Sequence, residues 1–167
     1  MRARAILILC APLLVFPALL QAEDQATYST RNLTVENALK AAQAALKACR
    51  DRGWQVAVAV VDRSGVVQVV LRDRYAGPHT PRTAGGKAWT AASFRSNTGA
   101  LVELTQPGKA QSGLRHLPHV VVLGGGVVIE AGGQMLGAIG VSGAPGGEAD
   151  EACANAGIAA IQESLEF

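Results

Sequence analysis

Residues 120–143 read VVVLGGGVVIEAGGQMLGAIGVSG, and the fold class turns on how this stretch is parsed. Three β-branched runs, residues 120–123, 127–129 and 135–141, are separated by glycines, which is the pattern of short strands punctuated by turns. Gly132 and Gly133 fall between two apolar runs, where a two-residue hairpin needs positive φ at both central positions and glycine reaches it without steric cost. The stretch is therefore expected to form the end of an antiparallel sheet. Gly124, Gly125 and Gly126 pose a different problem, because three successive glycines lose much backbone entropy on ordering and have no side chain to pack. Two readings stand for them: a bulge or sharp bend between sheet elements, or a bare main-chain floor for a flat or phosphate-bearing ligand.

Upstream, the clearest local signal is a helix. Thr34 is placed to accept from first-turn amides, Glu36 sits near the positive end, and Val35, Leu39, Ala42, Leu46 and Cys49 recur at helical spacing. Gly53 is expected to end it in a left-handed conformation. Residues 56–61 are apolar on both faces and read as a central strand. The sequence Asp62-Arg63-Ser64-Gly65 makes a turn into a second strand over residues 66–71.

Residues 75–84 hold Pro78, His79, Pro81 and Arg82 and read as an irregular surface loop of the kind that carries function. Residues 86–95 fit a short helix with Lys87, Thr90, Ala91 and Phe94 on one side. For Lys87 two roles are open: an ammonium extended to solvent along an apolar stem, or a cation aimed at a carboxylate of a bound molecule. Thr98 is expected to cap another short helix that runs to Leu104 and stops before Pro107-Gly108. Near the C-terminus Glu148, Asp150 and Glu151 cluster where a helix rich in small residues begins. Gly157 inside that helix suggests a tight crossing.

The first 22 residues stand apart from this pattern. Arg2 and Arg4 precede an apolar run broken by Pro12 and Pro17, and Gln21-Ala22 leads into polar Glu23-Asp24, the order of a cleaved secretory signal. Leu9 before Cys10 is too large for lipoprotein processing. Cleavage leaves residues 23–167 as one expected domain in the periplasm or outside the cell. Arg2 and Arg4 leave with the signal, so fifteen basic residues become thirteen against thirteen acidic ones. A chain without basic excess has no footprint for nucleic acid or for an anionic membrane. Aromatics make up only 4% of a chain that is 49% apolar, so small side chains carry the core and a homo-oligomer is expected to complete it. Export also bears on Cys49 and Cys153, which either pair as a disulfide between the first and last helices or remain buried thiols.

Chemistry-bearing residues are few. His116 and His119 flank Leu117-Pro118, and neutral imidazole binds zinc, copper or haem iron. Proline between them opposes a helix that would aim both at one ion, so an axial haem ligand or ordinary loop histidines are the competing readings. Asp62, Asp73 and Glu130 are candidates for buried proton-transfer carboxylates or for turn and edge roles. No serine elbow, reactive-cysteine setting or phosphate-binding glycine loop opening a helix is found, which favours a binding protein over an enzyme.

Taken in order, LTVENALKAAQAALKACRDRGW, AVVDRSG, KAWTAASFRSNT, GLRHLPHVVVLGGGVVI and GQMLGAIGVSGAPGGEADEACANAGI resemble the GlcG/HbpS family, also called the haem-degrading domain family. The resemblance covers residues 33–161. It implies an α/β (α+β) domain, a profilin-like α-β-α sandwich whose central antiparallel sheet of about five strands carries helices on its faces. It also implies assembly into oligomers and, for some members, binding of haem or a corrinoid. Lys87, Ala88, Phe94 and Thr98 match the family's helix motif, and Gly125 and Gly126 its paired glycines. On this basis the expected function is haem binding, storage or sensing by a secreted oligomer. Lys87, Arg82 or Arg95 would pair with the propionates and Gly124 to Gly126 would form the floor, while His79, His116 and His119 are candidate iron ligands by their chemistry and match no motif of the family. The alternative is a module without haem that binds a small organic acid or a periplasmic redox-enzyme partner.

Overall fold

The computed structural model describes residues 26–165, so the expected signal over residues 1–22 lies outside the described residues. Helix α1 (Val35–Arg50) leads into a hairpin of β1 (Ala57–Asp62) and β2 (Val67–Arg72). Helices α2 (Thr80–Phe94) and α3 (Thr98–Leu104) follow, then a 3-10 turn over Ser112–His116. A second hairpin, β3 (Gly126–Ala131) and β4 (Gln134–Ser142), precedes α4 (Gly147–Ala159). The four strands form one antiparallel sheet in the order β2-β1-β4-β3, so the two hairpins join through their inner strands.

Local chemistry explains the elements that were expected. Thr34 accepts from the Asn37 amide at 3.4 Å and starts α1. After Arg50 the chain turns through Gly53 at φ +79°, and the Trp54 N–H returns to the Cys49 carbonyl. Gly132 and Gly133 take φ +55° and +73° at the tip of the β3–β4 hairpin.

Three expectations are corrected. Helix α2 begins at Thr80 rather than at residue 86, because Pro81 sits in the first turn, where its missing N–H has no helical partner to lose. Residues 120–123 do not form the expected fifth strand. Their backbone is held by helices: the Val121 N–H donates to Thr90 Oγ1 at 2.9 Å, and Thr98 Oγ1 donates to the Leu123 carbonyl at 2.6 Å. Thr98 also accepts from the Gly126 N–H at 2.8 Å, so it clamps the glycine segment instead of capping α3.

The strands bury opposite faces differently. Val58 and Val60 of β1 with Ile139 and Val141 of β4 pack against α1 and α4 in the main core. The other face presents Ala57, Ala59, Val61 and Ala138 to Ala84, Ala88 and Ala91 of α2. Such small groups bury less area each, and this layer gains stability from close approach. A Cβ at Gly140 would stand 2.1 Å from the Ala84 carbonyl oxygen, so α2 lies almost directly on the β4 backbone. Gly157 permits a similar approach of α4 to α1, where a Cβ would meet the Ala41 carbonyl oxygen at 2.6 Å. Beside this crossing Cys49 and Cys153 form a disulfide with Cα atoms 5.6 Å apart.

Candidate functional site

A concavity lies on each side of α2 where it seats on the sheet. The larger, about 1190 Å³, lies among the start of α2, the start of α4 and the loop after β1's neighbour β2. Lys87 lines it, almost completely buried. Its ammonium does not extend to solvent: two of its three N–H groups donate to Asp150 Oδ2 at 2.7 Å and to the Val141 carbonyl at 2.9 Å. Asp150 also accepts from the Ala144 N–H at 3.0 Å, so the pair ties α2, β4 and the α4 loop together. Burial pushes the Asp150 carboxyl above its ordinary range, although the hydrogen bond and charge of Lys87 and two backbone amides pull it the other way.

The glycine triplet is explained by this packing. A Cβ at Gly124 would meet Gly147 backbone at 3.1 Å, one at Gly125 would meet the Asp150 Cβ at 2.5 Å, and one at Gly126 would meet the Lys87 carbonyl oxygen at 2.5 Å. Gly125 also has φ +110°. The bare backbone therefore admits α2 and α4 to the end of the sheet, and only Gly124 lines the cavity.

On the other face of α2 a cleft of about 470 Å³ is lined by Arg82, Trp89, His119, Val67 and Val121. Arg82 and Trp89 are seven residues apart on α2 and share a face. Gly86 between them lets residues 119–121 lie against the helix, since a Cβ there would stand 2.4 Å from the Val121 side chain. The His119 ring tilts towards Trp89 with centroids 6.0 Å apart, and the residue has φ +68°. Arg82 makes no ion pair among the described residues.

The expected site residues are thus divided. Arg82 and His119 share the cleft; His79, Lys87 and Gly124 line the larger cavity. His116 and Arg95 are exposed on the surface and line neither, with Arg95 ending α2 at φ +50°. No group of three potential metal-binding side chains occurs among the described residues, so His116 and His119 are not part of a preformed inorganic metal cluster there. Asp62 accepts from the Ser64 and Val66 amides in its turn, and Asp73 holds Arg50 and the Val56 N–H, which are structural roles. Sequence reasoning missed Trp89, Thr90 and Asp150. Starting α2 at Pro81 would have revealed Trp89 beside Arg82, whereas no local signal joins Asp150 to Lys87.

A model of the family described as "Haem degrading protein HbpS-like" matches residues 33–159. The chain is 36% identical over 121 residues to the corrinoid adenosyltransferase PduO of Salmonella typhimurium, which covers 71% of this chain and 36% of that protein. It therefore spans about a third of the length of that relative. Among solved structures it is similar to a double mutant of HbpS from Streptomyces reticuli, at 40% identity and TM-score 0.73 over 90% of this chain and 96% of that one. It is also similar to PduOC in a PduOC:haem complex, at 33% identity and TM-score 0.74 over 78% of this chain and 95% of that one. The chain belongs to the HbpS-like family.

Proposed function

We propose that this protein is an exported, oligomeric haem-binding protein and that the cleft of Arg82, Trp89 and His119 is its haem site. The observation that carries this reading is the meeting of those three side chains in one cleft. The set fits the group: an imidazole to ligate iron, a guanidinium to pair with a propionate, and an indole with Val67 and Val121 to cover the macrocycle. The larger cavity suits haem less, because Glu103, Glu148 and Glu151 line it and would repel propionates. Bound haem would supply iron coordination and redox chemistry; the chain's own residues hold the ring and exclude water from one face. Similarity to the PduOC:haem complex supports the same reading.

The basic and apolar leader and the Cys49–Cys153 disulfide support export to an oxidising compartment. Val66, Val67 and Val70 are exposed along the β2 side, and Val67 lines the cleft, which supports self-association next to the site. Hemin titration of the mature protein, followed at the Soret band, tests the assignment. His119→Ala is expected to remove the sharpened band, with His79→Ala and His116→Ala unchanged. An unaltered band in His119→Ala refutes it.

A further inference from the structure

The cavity beside Lys87 shares no lining residue with the cleft and has no part in the haem reading. We propose that it binds a small molecule with the chemistry of a free amino acid, its carboxylate on Lys87 and its amino group at the rim formed by Glu103, Glu148 and Glu151.

Lys87 carries three N–H donors and has two acceptors, Asp150 Oδ2 and the Val141 carbonyl oxygen. Its side chain is 3% exposed, so the third donor has little access to bulk water except through the cavity that it lines. A ligand oxygen would complete the coordination of a buried cation at a point where an empty valence is costly.

The surroundings favour a carboxylate for that oxygen. Both α2 and α4 begin at the cavity, through Thr80 and Thr83 on one and Gly147 and Glu148 on the other, and neither start has a side-chain cap. On α2 the Thr80 and Thr83 amides already donate to the Gly77 and His79 carbonyls and Pro81 has no N–H, so the uncapped start of α4 and the positive dipole ends of both helices complement an anionic oxygen.

A simple anion would nonetheless be opposed. Asp150 already offsets the charge of Lys87, and Glu103, Glu148 and Glu151 make no ion pair among the described residues. The cavity as a whole is therefore negative. A molecule that brings its own ammonium satisfies both ends, and Trp54 and Tyr75 on the wall offer an apolar side chain a surface.

The test uses the mature, disulfide-bonded chain. Thermal shift with each of the twenty common amino acids at millimolar concentration identifies the best probe. Isothermal titration then compares that amino acid with its deaminated acid and its decarboxylated amine. Saturable binding of at least one amino acid is expected, with each analogue weaker by about tenfold or more. Glu148→Gln, at an exposed position, is expected to weaken the amino acid and leave the deaminated acid unaffected. The paired variant Lys87→Met/Asp150→Asn is expected to weaken the amino acid at least as much, and if it fails to fold the analogue series and Glu148→Gln decide alone. No saturable binding by any of the twenty overturns the proposal. So does an amine that binds as tightly as the amino acid, which would leave Lys87 without a role, or an acid that does, which would leave the rim without one.

Discussion

Replacing Lys87 by methionine keeps the apolar stem and removes the ammonium from Asp150, and the cost depends on pH in a direction that the structure fixes. Both side chains are nearly buried, at 3% and 6% exposure, and stand 2.7 Å apart. Burial already raises the Asp150 carboxyl, and Lys87 supplies two of the influences that lower it. Without Lys87 the carboxyl is held neutral in the fold while it ionises in the unfolded chain near its ordinary value. A carboxyl with a raised folded pKa stabilises most below the unfolded value and loses that contribution as pH rises through the folded one. Keeping a proton on it costs ~1.4 kcal/mol per pH unit above about 3.9, hence ~1.5 kcal/mol at pH 5. By pH 8 this cost reaches the ~3–5 kcal/mol typical of a broken buried pair, where the carboxylate ionises instead. Urea unfolding measures it: with a slope near ~2 kcal/mol/M, the midpoint shift is expected to grow from under ~1 M at pH 5 to ~2 M at pH 8. Adding Asp150→Asn removes the ionisable carboxyl while its amide oxygen can still accept from the Ala144 N–H, and is expected to recover most of the loss at pH 8. A loss independent of pH, or no recovery in the double variant, refutes the reasoning.

Other outcomes follow from packing and covalent links. The Cys49–Cys153 disulfide closes a separation of 104 residues, and its removal as the paired alanine variant is expected to cost about 4–5 kcal/mol on the chain-entropy estimate. A loss below about 1 kcal/mol in chemical unfolding would contradict that. Gly140→Ala would place a methyl 2.1 Å from the Ala84 carbonyl oxygen and 2.7 Å from the Ala88 nitrogen, both backbone, so α2 must lift from the sheet. About 3 kcal/mol or more is expected, at the upper end of overpacking costs. Gly133→Ala is the control, since it meets nothing within 4 Å and incurs only the conformational cost of φ +73°; equal melting temperatures for the two would refute the crossing.

Elements whose signals act within a few residues were legible in the chain itself. Thr34 and Gly53 bracket α1, Gly132-Gly133 sets the hairpin, and glycine-punctuated β-branched runs mark the strands, because caps, turns and short runs depend on neighbours a few positions away, while helices on the faces of an antiparallel sheet were implied by the family resemblance. Only the tertiary structure decided the rest. Residues 120–123 have the composition of a strand, but their backbone partners are the hydroxyls of Thr90 and Thr98, each more than twenty residues distant. The three glycines suited either a bend or a ligand floor until the approach of Lys87, Asp150 and Gly147 showed what their missing side chains make room for. Lys87 and Asp150 are 63 residues apart, Cys49 and Cys153 are 104 apart, and His119 meets Trp89 through a loop with no regular period. A sequence pattern encodes the periodicity of one element at a time; which side chains meet across elements is set by strand order and by how closely helices seat on the sheet, and here glycine and alanine make that seating close enough to bring the two sites together.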